Sequence, residues 1–77
     1  MEIEYTNYSE MRIEKRKLSK AQIEDVLRNP ERVMAGAKGR KIAQKVLGKY
    51  LWRVVFEEHG NTYKVITVYY TQPERYG

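Results

Sequence analysis

The chain has 77 residues, a formal net charge of +5, one histidine and no cysteine. This length fits one small domain over residues 1–77, and the composition excludes a disulfide framework, a thiolate metal site and a cysteine nucleophile, so we expect no cofactor or metal. No apolar run approaches the roughly 20 residues that cross a bilayer, which predicts a cytoplasmic protein without a membrane partner.

The N-terminal segment predicts one short extended stretch and a helix. Residues 3–6 alternate in polarity and predict a first strand or an extended lead-in. Thr6 or Asn7 can then cap a helix that ends at about Lys15. The apolar face of this helix is thin, and the helical spacing of Tyr8 and Met11 predicts that both lie in the core.

A second helix is predicted more clearly. Ser19 and Gln22 have the spacing of a capping box, in which each side chain bonds the backbone N–H of the other residue. Three apolar residues at helical spacing predict one buried stripe, namely Ile23, Val26 and Leu27. Pro30 ends the helix because the residue before a proline is disfavoured in the α region. The helical half of the chain is therefore residues 7–29.

After Pro30 the apolar period changes from helical to alternating, which predicts strands. The predicted strands are residues 32–37, 41–47, 50–57 and 62–71. Their glycine-containing connections predict turns at residues 36–39, 48–49 and 59–61, with His59 exposed. We expect an α+β fold with two N-terminal helices packed on an antiparallel four-stranded meander. Trp52 is expected to be buried against the helices.

The length of the loop at residues 59–61 decides which side chains of the last two strands share a face. With a three-residue loop, the buried face contains Val54, Phe56, Ile66 and Val68. The other face then contains Arg53, Val55, Val65, Thr67 and Tyr69. A two-residue loop would change this partnering. We favour the first register because it groups the hydrocarbon side chains.

Surplus positive charge is concentrated in the middle of the chain. Residues 1–29 carry six Lys/Arg and six Asp/Glu, residues 30–56 carry seven against Glu31 alone, and residues 57–77 carry two against three. The middle segment therefore has a charge of +6. A concentrated positive field attracts polyanions, so we expect the cations of the central strands to be open to a phosphate backbone.

Two stretches of the sequence carry a family resemblance. The first runs from Thr6 to Ser19 and continues at Ile23, Val26, Leu27, Asn29 and Pro30; the second pairs residues 52–56 with residues 65–69. Together they resemble an uncharacterised family of small prokaryotic proteins. That family is similar in layout to the RelE/ParE superfamily of toxin–antitoxin toxins, including the BrnT-like branch.

The resemblance implies a function. RelE-type toxins cleave messenger RNA on the ribosome without a metal and are neutralised by a partner antitoxin. The resembled family usually carries a histidine in the first helix, where this chain has Tyr8. If that histidine serves catalysis, its replacement lowers the expectation of enzymatic activity here.

Metal-independent RNA cleavage needs a base for the 2′-hydroxyl, a cation for the phosphorane and an acid for the leaving oxygen. Lysine, arginine and tyrosine can serve these roles. The preferred register predicts Lys41, Lys45, Arg53 and Tyr69 on one sheet face, with Arg75 and Tyr76 following on the tail. The alternative is structural: the lysines form a solvated strand face, Arg53 pairs with a carboxylate and the tyrosines cover the sheet.

Three functional hypotheses follow. The first is a RelE-like toxin that acts as an endoribonuclease on RNA at the ribosome. The second is a protein of the same fold that binds nucleic acid or a protein partner without cleaving RNA. The third is a small structural homodimer that self-associates through its exposed sheet face.

Overall fold

Two helices form the N-terminal half, as the capping residues predict. The computed structural model describes residues 1–75, with helix α1 at Asn7–Arg16 and helix α2 at Lys20–Arg28. Thr6 caps α1 and Ser19 caps α2, each through a hydroxyl oxygen that accepts a backbone N–H three residues further on. None of the helices described is long and apolar enough to cross a membrane.

The buried side of α1 differs from the sequence prediction. Tyr8 and Met11 are 51% and 57% exposed, so the prediction that they lie in the core is wrong. Ser9 and Ile13, one helical turn apart, are buried instead. Ile13 joins the main core, and the Ser9 hydroxyl donates a hydrogen bond to the Thr6 carbonyl at 2.9 Å. A small residue one turn before Ile13 fits the space between helix and sheet, where a tyrosine would not.

The sheet has five strands rather than four. These strands are β1 Glu2–Tyr5, β2 Arg32–Ala35, β3 Lys41–Leu47, β4 Tyr50–His59 and β5 Thr62–Thr71. Their spatial order is β1-β5-β4-β3-β2. Single turns of 3₁₀ helix follow β2 and β5, at Ala37–Gly39 and Pro73–Arg75. The α+β class and the two helices are confirmed, and the four-stranded count is corrected by β1.

Strand β1 makes the sheet mixed. It pairs in parallel with β5, from Glu2 opposite Thr62 to Tyr5 opposite Val65, whereas all other pairs are antiparallel. The two helices connect β1 to the rest of the sheet, and a crossover of this kind allows parallel pairing. The backbone N–H of Thr6 continues the pairing by donating to the Val65 carbonyl at 3.2 Å.

The hairpin between β4 and β5 has a two-residue loop, so the preferred three-residue loop is wrong. His59 pairs with Thr62, and Gly60 has a φ of 60°, a conformation that glycine adopts at little cost. A β-bulge then shifts the register between Val55 and Phe56. Because of this extra residue, Val65 takes the place predicted for Ile66 on the buried face.

The helices cover one face of this sheet. The buried cluster joins side chains of α1, α2 and three strands: Ile13, Ile23, Val26, Leu27, Ala43, Trp52, Val54, Phe56, Val65 and Val68. The predicted burial of Trp52 is confirmed, since it is only 7% exposed. The opposite side of the sheet, which we call the outer face, lies away from α1 and α2. It carries Arg53, Val55, Thr67 and Tyr69, as the sequence predicts.

Candidate functional site

The predicted site residues are divided between the two faces of the sheet. Lys41 pairs across the strands with Phe56, and Lys45 pairs with Trp52, so both lysines are on the helix side. Arg53 and Tyr69 pair with each other on the outer face. The prediction of one shared face is therefore wrong. The two-residue turn after β3 places odd-numbered residues of β3 opposite even-numbered residues of β4.

The two lysines form ion pairs inside the chain. Lys45 Nζ lies 2.8 Å from Asp25 Oδ2 on α2, and Lys41 Nζ lies 2.7 Å from Glu58 Oε1 on β4. The hydrogen bond to Glu58 raises the pKa of Lys41. Arg40 also pairs, with Glu57 at 3.0 Å. The expectation that the cations of the central strands are open to a polyanion is therefore wrong for these three side chains.

Asp25 gives a testable pH dependence. Hydrogen bonds from Lys45 and then Asn29 lower the pKa of its carboxyl. A carboxyl whose folded pKa lies below its unfolded value of about 3.9 adds stability above that pH and loses it as the pH falls through the folded pKa. We expect urea unfolding to show a loss of stability below about pH 4 that is smaller in Asp25→Asn. Glu14→Gln, an exposed helical control, should retain the full loss; equal losses in all three proteins would contradict the assignment.

Arg53 and Tyr69 form the centre of the outer face. Arg53 Nη1 donates to the Tyr69 hydroxyl at 2.9 Å, and Nη2 lies 3.4 Å from the sulfur of Met34 on β2. The guanidinium carbon is also 5.7 Å from the centroid of the Tyr69 ring, within the range of a cation–π contact. Arg53 is only 8% exposed, so its rotamer is held by packing as well as by hydrogen bonds.

These two residues belong to a row of polar side chains that crosses four strands. Arg32 pairs with Gln44, Gln44 with Arg53, and Arg53 with Tyr69. We call Arg32, Gln44, Arg53 and Tyr69 the polar row. Arg32 is exposed, and no ion pair is recorded for it within residues 1–75. In the same part of the chain, Gln44 Oε1 is buried without a hydrogen-bond partner.

The side chains next to the polar row on the outer face are mainly uncharged. On one side, the cross-strand register places Met34, Ile42, Val55 and Thr67. On the other side it places Val46, Leu51 and Thr71. The nearby carboxylate of Glu31 accepts the backbone N–H of Val46 at 2.9 Å. Two arginines, an amide and a phenol therefore share a surface that can donate several hydrogen bonds to an anion.

The remaining two predicted site residues follow β5. Arg75 belongs to the 3₁₀ turn Pro73–Arg75 that follows β5. Tyr76 lies outside the described residues. Their predicted catalytic role therefore stays a prediction.

Tyr8 and His59, which were also singled out from the sequence, are both exposed. Tyr8 lies on α1, where its hydroxyl accepts from Arg12 Nη1 at 3.4 Å. His59 is at the end of β4 with a 62% exposed side chain, as predicted, and Nε2 is 2.9 Å from Glu57 Oε1. Hydrogen bonds from His59 and Arg40 lower the pKa of Glu57. Tyr8 and His59 therefore each interact with a nearby residue on the surface, Arg12 and Glu57 respectively.

The glycine-rich connection after β2 lines a surface cavity. Its volume is about 410 Å³, and its walls are residues 33–36 and 39–41. Its cations are Arg40 and Lys41, which are both paired with glutamates of β4. This fits the turn predicted at residues 36–39. Within residues 1–75, no three His, Asp or Glu side chains are grouped so that they could hold a metal ion.

Sequence reasoning missed an aromatic cluster on the helix side of the sheet. The Tyr50 and Tyr70 rings lie 4.9 Å apart, and the Tyr70 ring lies 5.9 Å from that of Trp52. Tyr50 and Tyr70 are 44% and 37% exposed. The signal was the spacing of Tyr50 and Trp52, which puts two aromatic rings on the same side of β4.

Comparison with known proteins gives one family. No curated protein and no solved structure matches the chain. A family model described as "Domain of unknown function (DUF4258)" matches residues 5–70. The match runs from the end of β1 to the last residues of β5, so it includes both helices and the polar row. The chain therefore belongs to the DUF4258 family.

Proposed function

We propose that this protein binds single-stranded RNA on the outer face of its sheet. The observation that carries the proposal is the polar row, in which Arg53 and Tyr69 are hydrogen-bonded at the centre and Arg32 is exposed at the edge. Arginine presents a planar fork of donors that matches a phosphate in two-point contact. The net charge of +5 on the whole chain adds long-range attraction for a polyanion.

The shape of the site favours a single strand over a duplex. A double helix is usually read by an α-helix or a two-stranded ribbon that enters a groove, whereas the polar row lies across four strands of a sheet. Unpaired bases can lie on a sheet and stack on aromatic side chains. The amide nitrogen of Gln44, next to Arg53, can donate to a base edge or a 2′-hydroxyl, whereas its Oε1 is buried. The site is therefore suited to a flexible strand in the cytoplasm.

Endoribonuclease activity is a second candidate, favoured by one observation. The Tyr69 hydroxyl accepts from Arg53, which leaves its own proton available to a leaving oxygen, while the guanidinium can stabilise a phosphorane and the proton of the attacking 2′-hydroxyl passes to water. In this proposal the protein is a toxin with a RelE/ParE-type fold, acts at the ribosome and is held inactive by an antitoxin. The separation of Lys41 and Lys45 from this pair makes RNA binding without cleavage the better supported proposal.

Binding to RNA at several salt concentrations tests the first proposal. An unstructured RNA of about 16 nucleotides would cover one binding site of this size. If two to four phosphates are neutralised, the logarithm of the affinity should fall against the logarithm of salt with a slope of about −1.5 to −3. Absent binding, or binding that salt does not change, would overturn the proposal.

Cleavage is measured separately. The protein is incubated with messenger RNA, with and without translating ribosomes, and the products are mapped by primer extension. Cuts that disappear with Tyr69→Phe would establish the endoribonuclease proposal. Intact RNA in both conditions would reject it and leave RNA binding as the function.

A further inference from the structure

Tyr50, Tyr70 and Trp52 form an ordered series of rings at one end of the sheet. Tyr70 is in the middle, with its centroid 4.9 Å from that of Tyr50 and 5.9 Å from that of Trp52. Trp52 is fixed in the core and is 7% exposed, whereas Tyr50 at the other end is 44% exposed. The buried ring of Trp52 thus supports the exposed rings of Tyr70 and Tyr50. This support reduces the conformational entropy that the two tyrosines lose when a ligand stacks on them.

The position of Tyr70 connects this series to the polar row. Tyr69 and Tyr70 are consecutive in β5, so their side chains lie on opposite faces of the sheet. Strand β1 pairs with residues 62–65 of β5. Within the described residues, residues 67–71 of β5 have a neighbouring strand only on the side of β4. Within the described residues, a flexible chain that contacts Tyr69 has no further strand to cross before it reaches Tyr70.

A cation adjoins the exposed end of the series. Lys49 is exposed in the turn between β3 and β4, directly before Tyr50. Within residues 1–75, no ion pair is recorded for it. An exposed aromatic ring next to an exposed cation is the combination that holds one nucleotide, because the ring stacks on the base and the cation contacts the phosphate.

We propose that Tyr50 and Tyr70 form a stacking site for an unpaired base, with Lys49 at the adjacent phosphate; this inference rests on the proposed binding of single-stranded RNA. The ligand is one nucleotide of the RNA strand that crosses the polar row. Stacking has little dependence on base identity, since every base has a π face. The site therefore adds affinity for unpaired RNA without reading its sequence.

Two substitutions at one position separate the contribution of the ring from that of its hydroxyl group. Tyr50→Ala removes the ring, and Tyr50→Phe keeps it. By alanine substitution, a stacked base contributes roughly five- to 100-fold in affinity. We expect this loss for Tyr50→Ala and a change of less than about twofold for Tyr50→Phe. Tyr8→Ala is the matched control, because Tyr8 is 51% exposed but lies on α1 outside this cluster.

The RNA probe is varied in the same experiment. An oligouridine is compared with a strand of equal length whose riboses lack bases, so that both carry the same phosphates. Fluorescence anisotropy of an end-labelled strand gives the affinity. Emission of the single tryptophan, Trp52, reports changes at Tyr70. Stacking predicts weaker binding of the abasic strand and a change in emission only with the strand that carries bases.

Three results would overturn the proposal. If the two strands bind equally well, or if Tyr50→Ala loses no more affinity than Tyr8→Ala, the rings do not hold a base, although RNA binding by the polar row stands. If neither strand binds at all, the stacking site and the proposed function both fail. Circular dichroism of each variant shows that a lost affinity is not caused by unfolding.

Discussion

Replacing Arg53 with methionine should lower the affinity for single-stranded RNA by about tenfold or more, because a hydrogen bond to a charged group contributes about 1.5–3 kcal/mol. Methionine fills a similar apolar volume along the side-chain stem while removing the cation. Arg53 lies at the centre of the polar row and is 8% exposed, so its charge acts through a less polar medium than that of a surface arginine. The salt dependence should also become weaker by about 0.7 in slope for each lost phosphate contact.

Arg53→Lys distinguishes charge from geometry. Lysine restores the positive charge but cannot make the two-point contact of a guanidinium, and it loses the arrangement in which Nη1 bonds Tyr69 while Nη2 reaches Met34. We expect this variant to recover the salt dependence but only part of the affinity. Full recovery of RNA affinity in Arg53→Lys would show that the two-point contact of the guanidinium is not used.

A matched control comes from the helix side. Arg28 is an exposed arginine on α2, so Arg28→Met removes the same charge at a distance from the polar row. Its RNA affinity should stay within about twofold of the wild type, apart from the small general effect of net charge. If Arg28→Met and Arg53→Met lose equal affinity, binding depends on total charge and the polar row is not the site.

The helices of this chain could be predicted because their signals are local. Thr6 and Ser19 each cap a helix by bonding an N–H three residues away, and Pro30 follows the end of α2. The orientation of α1 could not be predicted in the same way. Tyr8 and Ile13 are both large residues of one short helix, and only packing against β5 decides that Ile13 is the buried one.

The strands were found, but their register was predicted only in part. Alternation places Lys41, Ala43 and Lys45 on the same side of β3, yet it cannot say which side of β4 they join. That choice depends on turn length, and the turn correctly predicted at residues 48–49 already implies that Lys45 lies opposite Trp52, so the shared face predicted for Lys45 and Arg53 did not agree with it. The bulge at Val55 and Phe56 likewise has no marker in the sequence, and it moved Val65 into the core.

The part of the candidate site that lies within the β4–β5 hairpin was predicted from the sequence. Arg53 and Tyr69 were expected on a shared face, and they are directly hydrogen-bonded. The contribution of β2 was not expected, because Arg32 and Met34 reach this surface only through pairing with β3. The ion pair of Lys45 with Asp25 joins residues 20 positions apart, and it required the packing of α2 on the sheet.

Phe56→Ala should destabilise the protein by about 3–5 kcal/mol, the usual cost of removing a buried phenylalanine. Phe56 is 2% exposed, and its ring packs 4.6 Å from that of Tyr63. A chain of 77 residues has a total stability of only about 4–12 kcal/mol. The substitution therefore removes a large fraction of it, and the melting temperature should fall by more than about 12 °C.

The position of Phe56 makes this a test of which face of β4 is buried as well as of the core. Phe56 is the first residue of β4 after the bulge and pairs with Val65, and it lies on the same face of β4 as the buried Val54. Urea unfolding gives the free energy, with Tyr8→Ala as the exposed aromatic control that should change stability by less than about 0.5 kcal/mol. Equal, small effects of Phe56→Ala and Tyr8→Ala would mean that Phe56 is not in the core. In that case Arg53, which by strand alternation lies on the opposite face of β4 from Phe56, would not lie on the outer face either.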